Sequence, residues 1–206
     1  MNPQTYITIA LLSYLLGSIP FGYLLVKVFK KEDIRESGSG NIGATNVARS
    51  GAKGLAIATL ILDVFKGTAA LLLPQFLMPA SSHRDGALIL GLASLFVILG
   101  HCFPVWLKFK GGKGVATALG AFIILIPLEV LVAVLVFGLV FWFTHYVSLS
   151  SIVAALVIPV CGYIDGVSPR ILTIVSLCCL IVVAKHHANI GRLIAGTENR
   201  FGAKPA

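Results

Sequence analysis

Lys108, Gly111, Gly112, Lys113 and Gly114 crowd into one short stretch directly ahead of an apolar run. Glycines around a lysine at the start of a helix can turn several backbone N–H groups toward one point, and the lysine adds a full positive charge. That combination suits a phosphate. It is not the G-x-x-x-x-G-K-[S/T] loop of nucleotide hydrolysis, because Leu107 stands where the first glycine belongs and Gly114 replaces the magnesium-binding hydroxyl. Just upstream, His101 can be read as a proton donor, a phosphate contact or a plain interfacial histidine.

Two further polar stretches interrupt the apolar chain. Residues 37–49 read S-G-S-G-N-I-G-A-T-N-V-A-R, where Ser39, Gly40, Asn41, Gly43, Thr45 and Asn46 combine a flexible backbone with hydroxyl and amide donors, and Arg49 adds a planar fork for bidentate phosphate recognition. A flexible surface loop is the plain alternative. Residues 185–198 read K-H-H-A-N-I-G-R-L-I-A-G-T-E, and on a helix His186 and Asn189 share a face. Neighbouring histidines raise a metal site, but Glu198 is the sole carboxylate nearby and no H-E-x-x-H spacing exists, so no metal and no cofactor are expected. Ser148 and Ser151 belong to a Ser148-Leu149-Ser150-Ser151 turn that could add a hydroxyl. Asp63 and Lys66, three residues apart inside an apolar run, read equally as a structural pair and as substrate groups. Neither H-x-x-x-x-D nor G-x-S-x-G occurs, so no general base and no nucleophile stand out.

The elements that must position these residues are set by composition. With 57% hydrophobic and 12% charged residues in 206, a water-soluble domain would expose far too much apolar surface, so the bilayer is the solvent. Apolar runs cover 6–29, 55–77, 87–104, 115–126, 130–146, 152–164 and 171–184, which predicts an all-α integral membrane protein of seven spans, the fourth and sixth short. No basic residue precedes the first run and no small-residue cleavage site follows it, so it reads as an anchor and not a removed signal. An outside N-terminus and a cytoplasmic C-terminus place Lys27, Lys30, Lys31, Arg35, Arg49, Lys53, Lys108, Lys110, Lys113, Lys185, Arg192, Arg200 and Lys204 inside, leaving Arg84 and Arg170 outside. The outer connections, Pro79-Ala80-Ser81-Ser82, Pro127-Leu128-Glu129 and Asp165 to Pro169, read as simple turns. Residues 1–206 form one domain in this reading, with all three polar stretches on the cytoplasmic side. The net charge of +8 then reports orientation and anionic partners. No basic face interleaved with aromatics points to nucleic acid. Cys102, Cys161, Cys178 and Cys179 lack metal spacing and read as packing residues.

Together the quoted strings, with G-H-C-F-P-V-W-L-K-F-K-G-G-K-G-V-A-T between them, resemble the three motifs of the PlsY family, bacterial acyl-phosphate-dependent glycerol-3-phosphate acyltransferases. The resemblance implies transfer of a fatty acyl group from acyl phosphate to the 1-hydroxyl of glycerol 3-phosphate, giving lysophosphatidic acid and inorganic phosphate at the inner membrane. It implies that Ser39, Arg49 and Lys108 hold glycerol 3-phosphate. Thr45, Asn46 and the glycines about Lys113 would hold acyl phosphate, and Lys113 would steady the leaving group. His186, Asn189 and Glu198 would complete the pocket, with Ser148 or Ser151 supplying a hydroxyl. Expected partners are the two substrates, the bilayer and a soluble enzyme that makes acyl phosphate. A carrier for phosphorylated solutes, or a scaffold binding anionic lipid, are the competing classes. A carrier site belongs near mid-bilayer with access from both faces, whereas these stretches lie at one surface.

Overall fold

The computed structural model describes residues 3–77 and 86–202, and every regular element among them is helical. The expected turn at Pro79 to Ser82, and with it His83, Arg84 and Lys204, lies outside the described residues. In chain order the helices are α1 (Pro3–Gly17), α2 (Phe21–Phe29), α3 (Ala44–Arg49), α4 (Lys53–Leu77), α5 (Gly86–Cys102), α6 (Val115–Leu125), α7 (Pro127–Thr144), α8 (Val147–Ile164), α9 (Pro169–Ala184) and α10 (His187–Ile194). They fall into two compact units, Met1–Leu125 and Ile126–Ala206.

Five stretches are long and apolar enough to cross a bilayer: Pro3–Phe29, Lys53–Leu77, Gly86–Leu107, Pro127–Thr144 and Val147–Ile164. The pair α9 and α10 qualifies together but bends by 55° between its halves. Helix α6, expected to be short, has 11 residues; at about 1.5 Å per residue it covers roughly half of a ~30 Å hydrocarbon core. The sixth span departs from expectation. Ser148 to Ser151 are not a turn but the first helical turn of α8, which gives that helix 18 residues. The Ser150 hydroxyl donates to the Tyr146 carbonyl and that of Ser151 to Val147, so polar side chains are satisfied by their own helix. Pro127, Leu128 and Glu129 were likewise expected as a turn and instead open α7, where a proline at the first position costs no hydrogen bond.

In unit 1 the usual inside-out rule is reversed in the way a lipid solvent demands. Helix α4 buries Thr59, Asp63, Lys66, Gly67 and Ala70 while Ile57, Ile61 and Phe65 are each at least 60% exposed. Small and polar residues therefore face the other helices, and large apolar ones face lipid. Glycines let the backbones meet: a Cβ on Gly17 would run into the Val97 carbonyl and one on Gly100 into that of Tyr14, locking α1 to α5. Gly67 and Gly120 do the same between α4 and α6, against the Thr117 and Val64 carbonyls. The first span is broken at Ser18-Ile19-Pro20, where proline cannot donate and restricts the residue before it. The Ile19 carbonyl released there accepts from Lys66 Nζ at 2.9 Å. In unit 2, α7 presents Leu131, Leu135, Leu139 and Trp142 outward and buries Val130 and Ala133.

These packing glycines carry a prediction. Gly120→Ala should destabilise the protein by roughly 1–3 kcal/mol, the usual cost of overpacking, read as a fall in Tm in detergent. Gly138→Ala is the control, since a Cβ there meets nothing within 4 Å; equal Tm values for the two variants would contradict the packing account.

Candidate active site

Unit 1 gathers the first two polar stretches around one core. Val26 of α2, Ile34 just ahead of the first stretch, Ile42 and Val47 within it, Ala56 of α4 and Leu107 of the second are buried together. The apolar residues scattered among the glycines and amides thus fix both loops to the same end of the same helices. This is the convergence expected of residues 37–49 and 108–114.

The first loop is held from within by Asn46, which is 2% exposed. Its Oδ1 accepts the Ser39 N–H at 2.9 Å, and its Nδ2 reaches the carbonyls of Ile34, Ser37 and Asn41 at 3.1, 3.0 and 2.9 Å. An amide so fully engaged shapes the loop. Asn41 Oδ1 accepts the Gly43 N–H at 2.9 Å, a turn that leads into α3. Gly38 and Gly40 have φ of 56° and 67°, and a Cβ on Gly38 would strike the Asn46 amide. Ser39 and Gly40 are exposed, and Thr45 and Arg49 are half-buried on α3. Asp33 was not singled out from sequence; the Arg35 guanidinium beside it holds its carboxyl at about 2, and its side chain accepts the Arg35 N–H to start the 3-10 turn Ile34–Glu36. An acidic residue two places before a basic one was its only signal.

The second loop is tighter than its glycines suggest. The left-handed positions fall on Lys108 and Phe109, at φ 52° and 62°, and on Gly114 at 84°, while Gly111 and Gly112 avoid that region. Two successive non-glycine residues at positive φ are strained backbone, held here by the Phe109 N–H to the Pro104 carbonyl and the Lys110 N–H to that of Leu107. Glycine is needed at 111 and 112 for space: a Cβ on Gly111 would meet the His101 carbonyl and one on Gly112 the His101 ring. The Gly112 N–H donates to the His101 carbonyl at 3.0 Å, so it is spent inside the fold. What remains open to an anion is the start of α6, whose first ladder bond runs from Ala118 to Gly114 and leaves the N–H groups of Val115, Ala116 and Thr117 ahead of it. Lys113 is half-buried there and Lys108 exposed. Beside the loop an apolar groove of ≈ 400 Å³ is lined by Ile19, Pro20, Tyr23, Leu24, Trp106 and Leu107.

His101 lies beneath this loop at 4% exposure, with Nδ1 3.1 Å from Thr117 Oγ1 and 3.5 Å from Asp63 Oδ1. Asp63 Oδ1 also pairs with Lys66 Nζ at 2.7 Å. Thr117 was not singled out from sequence, where nothing separates it from other helical threonines.

In unit 2 the third stretch is organised by Glu198. Its Oε1 accepts from Ser148 Oγ at 2.8 Å and Asn189 Nδ2 at 2.7 Å, and its Oε2 pairs with Arg192 Nε at 2.7 Å. The carboxylate is held by its own fold, with the Arg192 guanidinium beside it to balance its charge. His186 is 2% exposed and its Nδ1 donates to the Val182 carbonyl at 2.8 Å, so in the neutral ring Nε2 is the acceptor. Ser151 is buried on α8 with its hydroxyl on Val147. Among the described residues no three His, Cys, Asp or Glu side chains cluster as a metal site would need.

The sequence model of the glycerol-3-phosphate acyltransferase family matches residues 7–196. The chain belongs to that family. Its relatives include the acyltransferase of Syntrophotalea carbinolica, 49% identical over 94% of this chain and 96% of the relative, and that of Allorhizobium ampelinum, 50% identical over 94% and 90%. The crystal structure of PlsY, an integral membrane glycerol 3-phosphate acyltransferase in its glycerol 3-phosphate form, superposes with a TM-score of 0.87 at 36% identity over 96% of both chains. Its lysophosphatidic acid form gives 0.84 at the same identity. This acyltransferase is thus an integral membrane enzyme, and the all-helical fold expected from its apolar runs is the fold of the family.

The Glu198 hub makes a pH prediction for the acyltransferase. Burial works to raise the Glu198 pKa, but hydrogen bonds from Asn189, Ser148 and Arg192 outweigh it and hold the carboxyl below its ordinary value. A folded pKa below the unfolded one stabilises at neutral pH and above, and that stabilisation fades as pH falls through the folded value. Glu198→Gln should therefore lower Tm at pH 7 and close the gap to wild type as the medium turns acidic. A Tm difference that stays constant down the acid limb would refute the assignment.

Proposed function

We propose that this acyltransferase moves a fatty acyl group from acyl phosphate to the 1-hydroxyl of glycerol 3-phosphate, giving lysophosphatidic acid and inorganic phosphate, the opening step of phospholipid synthesis. The observation that carries the reading is the shared core of Ile42, Val47 and Leu107, which sets an Arg49-bearing helix and a lysine-glycine loop at one place. Two phosphate-bearing reactants require two such anion-binding elements side by side. The apolar groove from Ile19 to Leu107 suits the acyl tail.

In the reaction the 1-hydroxyl oxygen bonds to the acyl carbon while the bond from that carbon to the phosphate oxygen breaks. The phosphate leaves with the electron pair, and its oxygens accept the proton of the attacking hydroxyl. A mixed anhydride has a good leaving group, so catalysis rests on positioning and charge neutralisation. Ser39, Arg49 and Lys108 hold glycerol 3-phosphate. Thr45, Lys113 and the backbone at Gly114 and the start of α6 hold the acyl phosphate, and Lys113 offsets charge on the departing phosphate. We assign His186, Asn189 and Ser151 to the same reaction. Asn46, Ser148 and Glu198 position these residues and do not touch substrate.

We assign the site to the cytoplasmic side of the bacterial inner membrane, with seven spans and an outside N-terminus. The distribution of basic residues supports this, and a soluble enzyme making acyl phosphate would supply the donor on that side.

The deciding experiment offers purified protein acyl phosphate, acyl-CoA and acyl carrier protein as donors with glycerol 3-phosphate. Product from acyl phosphate is expected; product from acyl-CoA alone would overturn the donor, and no product alongside solute uptake into vesicles would favour a carrier. Within this assay Arg49→Lys should raise KM for glycerol 3-phosphate at least tenfold, since a bidentate charge-assisted contact worth about 1.5–3 kcal/mol is lost. An unchanged KM would remove Arg49 from that role.

A further inference from the structure

The proposed reaction leaves the most costly group in unit 1 unexplained. Asp63 and Lys66 are 3% and 1% exposed within a membrane helix. Removing such charges from water costs several kcal/mol per ion, and apolar residues of similar volume commonly pack at least as well. A charged pair kept at this depth calls for a use.

Its contacts indicate one. Lys66 is tied to the break in the first span through the Ile19 carbonyl at 2.9 Å, and to Asp63 at 2.7 Å. Asp63 Oδ1 lies 3.5 Å from His101 Nδ1, which also faces Thr117 Oγ1 at 3.1 Å. The opposite edge of the ring fills the space under Gly112: the atoms nearest to a Cβ built there are Nε2, Cδ2 and Cε1 of His101, with nothing else closer. The same residue's carbonyl takes the Gly112 N–H at 3.0 Å. One histidine therefore touches the turn twice, by main chain and by ring, and its other edge rests on α4 and on the first turn of α6.

We propose that His101 is a positioning residue, a spacer that Asp63, Lys66 and Thr117 orient so that the Gly111-Gly112 turn presents Lys113 and the start of α6 to phosphate. The proposal rests on the acyl-transfer reading above and adds a layer of residues that never meets substrate. Its oriented ring explains why glycine, and no larger residue, stands at position 112, and why an ion pair persists in α4. Without the ring the turn drops into the space below, and Lys113 shifts with it.

The test is a mutant cycle read in KM, kcat and the inhibition constant of inorganic phosphate. His101→Ala and Gly112→Ala should each raise KM for acyl phosphate and the phosphate inhibition constant by a common factor of roughly tenfold, equivalent to about 1.4 kcal/mol, with a smaller change in kcat. The double variant should be no worse than the worse single one, since the added methyl then occupies room that the ring has vacated. Asp63→Asn should move both constants in the same direction. Where it fails to fold, Thr117→Val, which removes one hydroxyl and keeps the shape, replaces it with the same expectation. Multiplying effects in the double variant, or lowered Tm with both constants unchanged, would overturn the proposal. Because the readout is a ratio among variants for whichever donor the wild type uses, an error in the donor leaves this test standing.

Discussion

Where a polar loop packs against the ends of membrane helices, each buried polar group needs a hydrogen-bond partner. Much of this acyltransferase follows from that constraint. Unit 1 meets it with Asn46, whose one amide serves the Ser39 N–H and three carbonyls. The second loop meets it with carbonyls of His101, Pro104 and Leu107. Unit 2 uses Glu198 to gather Ser148, Asn189 and Arg192. Frames so fully bonded are stiff, and a stiff frame can hold cationic side chains in place before any ligand arrives, which is where electrostatic catalysis gains most.

The same constraint explains which parts of the molecule could be read from sequence. Apolar runs long enough for a bilayer, interrupted by three glycine-rich and amide-rich stretches, are visible without coordinates, and so is the oddity of Asp63 and Lys66. What the string does not carry is which polar residues bond to the fold. Asn46 and Glu198 carry the same donors and acceptors in either role, and only their partners decide. Ser148 to Ser151 read as a turn because hydroxyls signal loops in water; in the helix Ser150 and Ser151 bond back to the preceding turn and cost little. Pro127 misled in the same way, since a proline can begin a helix as readily as end one.

The second loop shows the limit from another side. Its glycines were expected to turn backbone N–H groups toward an anion, while the left-handed backbone falls on Lys108, Phe109 and Gly114. Gly111 and Gly112 are required for a reason invisible in the string, namely the His101 carbonyl and ring packed against them. Close approach and positive φ both select glycine, so the string alone does not tell which of the two applies at each position.

The basic excess of the chain also takes a second meaning from the proposed reaction. Two phosphate groups brought to about 5 Å repel by roughly 3 kcal/mol for each pair of unit charges at an effective dielectric near 20, and each phosphate carries more than one charge. That repulsion alone would keep the hydroxyl from the acyl carbon. Arg49, Lys108 and Lys113 are the groups that can cancel it, so a net charge of +8 is a requirement of bringing these substrates together as much as a signal of orientation. A carboxylate turned toward the same space would undo part of the gain. Within each unit the fold pairs its buried acidic group, Asp63 with Lys66 and Glu198 with Arg192.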